Sequence, residues 1–200
     1  MAGVLAHACR CGRVRVAVEV PSRRAGTRVT CYCGDCQATA RLAGDPDSLL
    51  TPAGGTDIWQ TTPDLLRIEQ GADGLEVRRL SPRGLFRWHA ACCDTPLFNT
   101  LERLGFPFVG LVLRPDEATE AERLLGPVVA HVFTASAPAG RGAPARDRGF
   151  GRTGVALLSR AAVAALSGRS RRQPLADAAR MPIAPVRVLE KAARDAARLS

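Results

Sequence analysis

Lysine is almost missing from this sequence: Lys191 is the only one among 28 basic residues, so arginine carries nearly all the positive charge. Such a bias reads as coding preference rather than a built surface, and a net charge of +9 does not by itself specify a polyanion. No segment reads as an element that docks in either groove of DNA, so nucleic acid is not expected as a partner. Also lacking is any run approaching the roughly 20 apolar residues that cross a bilayer. The first eleven residues have neither the basic start nor the long apolar centre of a secretory leader. The expected location is therefore cytoplasmic, with no membrane partner. Internal repeats are absent, and histidine occurs only as His7, His89 and His131.

What the chain does have is cysteine: seven residues, all between Cys9 and Cys93. A reducing compartment disfavours disulfides, and an odd count points the same way, which leaves metal binding or catalysis as the reason for clustered thiols. Seven thiols so grouped are not expected to be buried free cysteines packing as small hydrophobes. A length of 200 residues with 46% apolar content suffices for one domain with a real core plus an appendage.

Alternating valines at Val14, Val16, Val18 and Val20 predict a half-buried strand over 13–20. A turn over 21–26 then lets 27–31 return as its hairpin partner. Further short strands are predicted at 57–61, 65–69, 75–80, 85–89, 108–113 and 128–134, separated by Gly, Pro and Asp. A helix is predicted over 116–125, entered by Pro115-Asp116-Glu117. This spacing gives a mainly β domain over 1–135. From 136 to 154 the composition shifts to Ala, Pro, Gly and Arg, which reads as a flexible linker. Beyond it, 155–166 and 185–199 have helical spacing and form a C-terminal helical extension over 155–200, whose shallow apolar stripe must dock elsewhere to be stable. Trp59, Trp88 and the run 106–113 read as core.

The thiols form three groups: Cys9-Arg10-Cys11-Gly12, then Cys31-Tyr32-Cys33-Gly34-Asp35-Cys36-Gln37, then Cys92-Cys93-Asp94-Thr95-Pro96-Leu97. The middle run offers three thiolates within six residues, and a short turn containing Gly34 lets them converge at the Zn–S distance of roughly 2.3 Å. Zinc takes four ligands, so three thiolates leave one position open, the feature that separates a catalytic zinc from a structural one. Cys9 and Cys11, joined by Cys92 and Cys93, would close a four-thiolate structural site. Two Zn²⁺ ions are therefore expected. Adjacent residues of an extended strand point to opposite faces, so Cys92 and Cys93 can share an ion only if the backbone turns there. Cys93 is favoured over Cys92; His89 could join the site instead, or Cys92 could cross to the other zinc. His7 and His131 read as ordinary surface or half-buried residues.

Over residues 7–101 these motifs, with Arg87-Trp88 leading into Cys93-Asp94-Thr95-Pro96-Leu97, resemble the glutathione-dependent formaldehyde-activating enzyme family, which includes centromere protein V. Residues 87–100, with their double cysteine, are most similar to an uncharacterised bacterial branch. The resemblance implies an Mss4-like β fold in which Cys9, Cys11 and Cys93 belong to a structural zinc, and Cys31, Cys33 and Cys36 to a reactive one. The chain departs from the family's usual Cys-x-x-Cys-Gly ending, whose first cysteine falls on Ala90 and whose glycine falls on Asp94; Cys92 is the candidate replacement ligand.

The family's reaction is the making or breaking of a carbon–sulfur bond, of the type that joins glutathione and formaldehyde. The resemblance thus implies a carbon–sulfur lyase-like activity on a small-molecule thiol adduct, with Cys31, Cys33 and Cys36 as catalytic ligands and glutathione as a candidate partner. Three thiolates against a divalent ion leave the centre anionic, so neighbouring donors should matter: backbone N–H groups near Gly34, Arg41 and Arg87, with Asp35 able to orient a ligand or move a proton. One alternative is a non-catalytic zinc scaffold that binds a partner or nucleic acid through the Arg-rich stretch starting at 169–172. Another is a redox sensor whose three-thiolate site releases zinc on oxidation.

Overall fold

The computed structural model describes residues 2–199. Its architecture is mainly β, with two sheets and four helices. The smaller sheet has the order β1-β2-β5, formed by β1 (Gly3–Ala8), β2 (Arg15–Val20) and β5 (Leu66–Gln70), all antiparallel. The larger has eight strands in the order β10-β3-β4-β9-β8-β7-β6-β11. Its members are β3 (Thr27–Cys31), β4 (Thr56–Thr61), β6 (Leu75–Arg79), β7 (Phe86–Ala90), β8 (Thr95–Thr100), β9 (Val109–Leu113), β10 (Ala130–Val132) and β11 (Val186–Val188). The helices are α1 (Gly34–Leu42), α2 (Ala118–Leu125), α3 (Phe150–Leu166) and α4 (Lys191–Leu199).

Both sheets give side chains to one core. The alternating valines Val16, Val18 and Val20 of the middle strand β2 meet Trp59, Val77, Trp88, Phe98 and Leu111 of the larger sheet, all of them almost wholly enclosed. Burial of such side chains contributes on the order of 1.5–3 kcal/mol each relative to exposure. The Trp88 indole N–H donates to the Thr100 hydroxyl at 2.9 Å, so this ring is buried without leaving its donor orphaned.

Several expectations need correcting. The hairpin between 13–20 and 27–31 does not form: β2 lies between β1 and β5, whereas β3 lies between β4 and β10 in the other sheet. The valine alternation marked β2 correctly, but its partner is the N-terminal strand β1, whose Gly, Ala and His content carries no strong strand signal. The residues after Cys33 form helix α1 rather than a bare turn, with Cys33 at the N-cap and no side-chain cap to announce it. The stretch 136–154 is irregular at first, but Arg148 bridges to His131 and α3 already begins at Phe150. In place of one helix over 185–199 there is strand β11, parallel to β6, and then α4. That tail docks on α1, where the Arg41 guanidinium donates to the Ala197 carbonyl at 3.1 Å and Ala38, Leu80 and Ala197 share a small apolar cluster.

Gly26 illustrates how tightly the core is set. A Cβ there would lie 2.1 Å from the buried Trp59 ring. Gly26→Ala is expected to lower stability by about 1–3 kcal/mol through overpacking. The check is a denaturant titration, in which the midpoint should fall while the slope stays unchanged.

Candidate metal centres

Two cysteine groups converge among the described residues: Cys9, Cys11, Cys92 and Cys93 in one, and Cys31, Cys33 and Cys36 in the other, with all sulfurs of each group within 4.8 Å of one another. All seven are free cysteines. In the first group the knuckle after β1 turns through Gly12, at φ 73, and the Gly12 N–H donates to the Cys9 carbonyl at 2.9 Å. The Val14 N–H also points at the Cys9 sulfur, at 3.3 Å. Opposite it, residues 91–94 make a tight turn between β7 and β8, in which the Asp94 N–H donates to the Ala90 carbonyl at 2.8 Å. This turn resolves the geometric difficulty of adjacent cysteines, because Cys92 and Cys93 are not in extended backbone and both face the knuckle.

Sulfur separations are 3.5 Å for Cys9–Cys11, 3.8 Å for Cys9–Cys92, 3.2 Å for Cys11–Cys92 and 3.8 Å for Cys92–Cys93. A tetrahedron of sulfurs about 2.3 Å from a central ion has edges of about 3.8 Å, so the four thiols fit a tetrahedral thiophilic cation. The arrangement is held from outside by Arg10, whose guanidinium donates to the Cys93 carbonyl at 2.9 Å and to the Asp45 carboxylate at 2.9 Å. The Arg13 backbone N–H, then the Cys92 thiol, pull the Cys11 thiol down to about 6, while burial and hydrogen bonding to Cys11 and Cys9 push Cys92 up to about 12.

His89 stands outside this donor group. It is buried, its Nε2 lies 3.2 Å from Arg78 and 3.5 Å from both Glu76 and Asp94, and burial followed by the Arg78 charge holds it below its usual pKa. Asp94 occupies the left-handed region at φ 56, which explains why a glycine suits this place, and its carboxylate accepts from Arg78 at 2.8 Å. His7 is fully buried and paired with Glu117 at 3.0 Å, contrary to its reading as a surface or half-buried residue; His131 is half-buried beside Tyr32.

In the second group, Cys31 ends β3, Cys33 caps α1 and Cys36 sits in its first turn. The helix start places the Cys36 and Gln37 N–H groups on the Cys33 carbonyl at 3.0 and 3.2 Å and sets the positive end of the helix beside the sulfurs. Hydrogen bonds from Cys31 and Cys36 hold the Cys33 thiol down to about 2, with the Arg87 charge adding to the effect. Cys31 is pushed up by the same sharing, and Cys36 rises to about 11 because Cys33 and burial outweigh the lowering by Cys31. Bound to a divalent cation, all three would be thiolates.

These three sulfurs line a cavity of ≈ 300 Å³, whose floor includes the buried Arg87 and Asn99 and whose wall includes Asp35. Arg87 lies 3.4 Å from the Asn99 amide oxygen and 3.9 Å from Asp35. Asp35 also pairs with Arg198 of α4. Arg41, in contrast, turns to Gln37 and Ala197 and does not line the cavity. Sequence reasoning singled out neither Asn99 and Gln60 nor Phe133 and Phe150, which also line it. The one available signal was Phe150, the sole aromatic residue in 136–154.

A mainly β chain with one four-thiol and one three-thiol group positioned for metal ions defines the general class. More particularly, the chain belongs to the family of unknown function DUF6151, whose match spans residues 1–187. No curated protein matches it. A crystal structure of a Rhodobacter sphaeroides protein is similar at 19% identity over 57% of this chain and 94% of that one, with a TM-score of 0.39.

Elemental analysis of protein purified without added metal should give about two metal ions per chain, one for each sulfur group. Cys36→Ser should lower the ratio to about one and leave the fold intact. Cys92→Ser should also lower it, and in addition reduce thermal stability, because its site ties together segments 83 residues apart. A ratio unchanged in either variant would refute that assignment.

Proposed function

We propose that this chain is a two-zinc enzyme that makes or breaks the carbon–sulfur bond of a small thiol adduct, with Cys31, Cys33 and Cys36 holding the reactive zinc. The observation that carries the reading is a contrast between the two groups. Four sulfurs complete a tetrahedral shell at the first, whereas three leave the second one ligand short beside a cavity of ≈ 300 Å³. The resemblance to the glutathione-dependent formaldehyde-activating family, with its Mss4-like fold, supports the same division of labour. Zinc would supply a fourth position at which a substrate thiol is held as thiolate or a carbonyl oxygen is polarised.

The chain's own residues account for the rest. Three thiolates and a divalent cation sum to one negative charge, and the buried Arg87 guanidinium beside Cys33 and Cys36 offsets it. The first turn of α1 adds backbone N–H groups and the positive end of its dipole. Asp35, on the cavity wall, would accept the proton of an entering thiol and return it to the carbonyl oxygen as the S–C bond forms. Thiol plus aldehyde then gives the hydroxyalkyl thioether with no atom left over, and the reverse step follows the same path.

The test is exchange spectroscopy by NMR on mixtures of a thiol and formaldehyde, which reads the rate of adduct formation and breakdown. The protein should accelerate exchange above the buffer rate. Cys36→Ser should abolish the acceleration, and Asp35→Asn should reduce it by about a hundredfold, within the range for a lost general acid–base group. Exchange no faster than in buffer, across thiols of different size, would overturn the proposal.

A further inference from the structure

The cavity beside Cys31, Cys33 and Cys36 has an aromatic rim that neither the metal chemistry nor the core requires. Phe133 and Phe150 are 50% and 58% exposed, and their rings meet edge to face at a centroid separation of 6.1 Å and an angle of 85°. Both line the cavity, whereas neither belongs to an apolar core cluster. Single exposed apolar side chains are ordinary, but a paired set at the edge of a partly apolar cavity marks a contact surface.

Phe133 is also held in a costly conformation. Its backbone is left-handed, at φ 58 and ψ 37, a region that a bulky residue adopts only when its surroundings hold it there. The Asp147 carboxylate sustains it, accepting from the Phe133 N–H at 3.0 Å and from both the N–H and the hydroxyl of Thr134 at 2.8 Å. Two residues further on, Gly149 takes φ 78 where a Cβ would stand 2.6 Å from the Val129 carbonyl oxygen, and Phe150 follows at once as the first residue of α3. One short segment therefore both clamps the first ring and delivers the second.

Beside the rings the lining has one polar side chain, Thr153, whose hydroxyl is turned to the Phe150 carbonyl at 2.8 Å. Arg87 and Asn99 are buried at the floor, and among the described residues Arg87 is the only cation in the lining, already facing Asp35 at 3.9 Å. A peptidic thiol with two carboxylates would meet one lining cation, and Asp35 already engages both that arginine and the neighbouring Arg198. We infer that the substrate thiol carries an aromatic or bulky aliphatic group, gripped between Phe133 and Phe150, and is not a charged peptide. The thiol part of this inference rests on the proposed function; the apolar grip does not.

Calorimetric titration of the protein as purified with 2-phenylethanol, 2-phenylethanethiol and glutathione separates the two. Saturable binding of 2-phenylethanol is expected, weakened about tenfold by Phe133→Ala and by Phe150→Ala, and less by Phe150→Leu. Both rings are half-exposed, so these variants should keep the fold, which circular dichroism verifies. Asp147→Ala should weaken binding in the wild-type background and have no further effect on the Phe133→Ala protein, which identifies Asp147 as a positioning residue for that ring. 2-Phenylethanethiol should bind at least about tenfold more tightly than glutathione. No saturable binding of 2-phenylethanol, unchanged binding in both phenylalanine variants, or tighter binding of glutathione would overturn the inference. Equal affinity for the alcohol and the aromatic thiol, with both weakened by the variants, would uphold the apolar grip and instead count against thiol capture by the metal.

Discussion

The convergence of Cys9 and Cys11 on Cys92 and Cys93 is the constraint on which the rest depends, because the connections that carry them belong to different sheets. The knuckle joins β1 to β2 in the smaller sheet, and the double-cysteine turn joins β7 to β8 in the larger. Pinning the two connections together fixes how one sheet lies over the other, and so which faces of Val16, Val18 and Trp88 become interior. Chain entropy opposes closing so long a loop, and a metal ion bound by the four sulfurs would be strong enough to offset it. Arg10, reaching across to the Cys93 carbonyl, adds a purely protein-made link at the same place.

The three-sulfur group is positioned by a different pair of elements. β3 delivers Cys31, and α1 starts immediately afterwards, so the distance between the three sulfurs is set by one strand end and one helical turn. Arg87 comes from β7, the strand that leads into the double-cysteine turn. One strand, β7, therefore leads from the Arg87 of the cavity floor to the turn of the four-sulfur group, and the two groups share no cysteine.

Both sulfur groups were legible in the sequence because cysteine spacing is local and its chemistry is narrow. The sheet pairing was not. Valine alternation at Val14 to Val20 reported which residues face inward, but period alone does not name a partner strand, and the nearest candidate in sequence lies in the other sheet. The four-sulfur site was ambiguous for a similar reason: whether Cys92 and Cys93 can cooperate depends on a turn whose left-handed residue is Asp94, not the glycine that would have advertised it. The aromatic rim was invisible because Phe150 stands amid Ala, Pro, Gly and Arg, a composition that reads as unstructured, and the segment before it is anchored by Asp147 and by the bridge from Arg148 to His131 of β10. The tail was misread in type, since the three residues of β11 gain their strand character from β6 rather than from their own pattern.

The two outermost strands of the larger sheet, β10 and β11, are only three residues long, and each runs parallel to its inner neighbour. A sheet that ended on β3 and β6 would offer five-residue ladders of unpaired backbone groups. Capped as it is, each flank presents too short and too interrupted a row for another chain to extend, so the barrier to cross-β stacking is built into the connectivity itself and does not rely on surface charge.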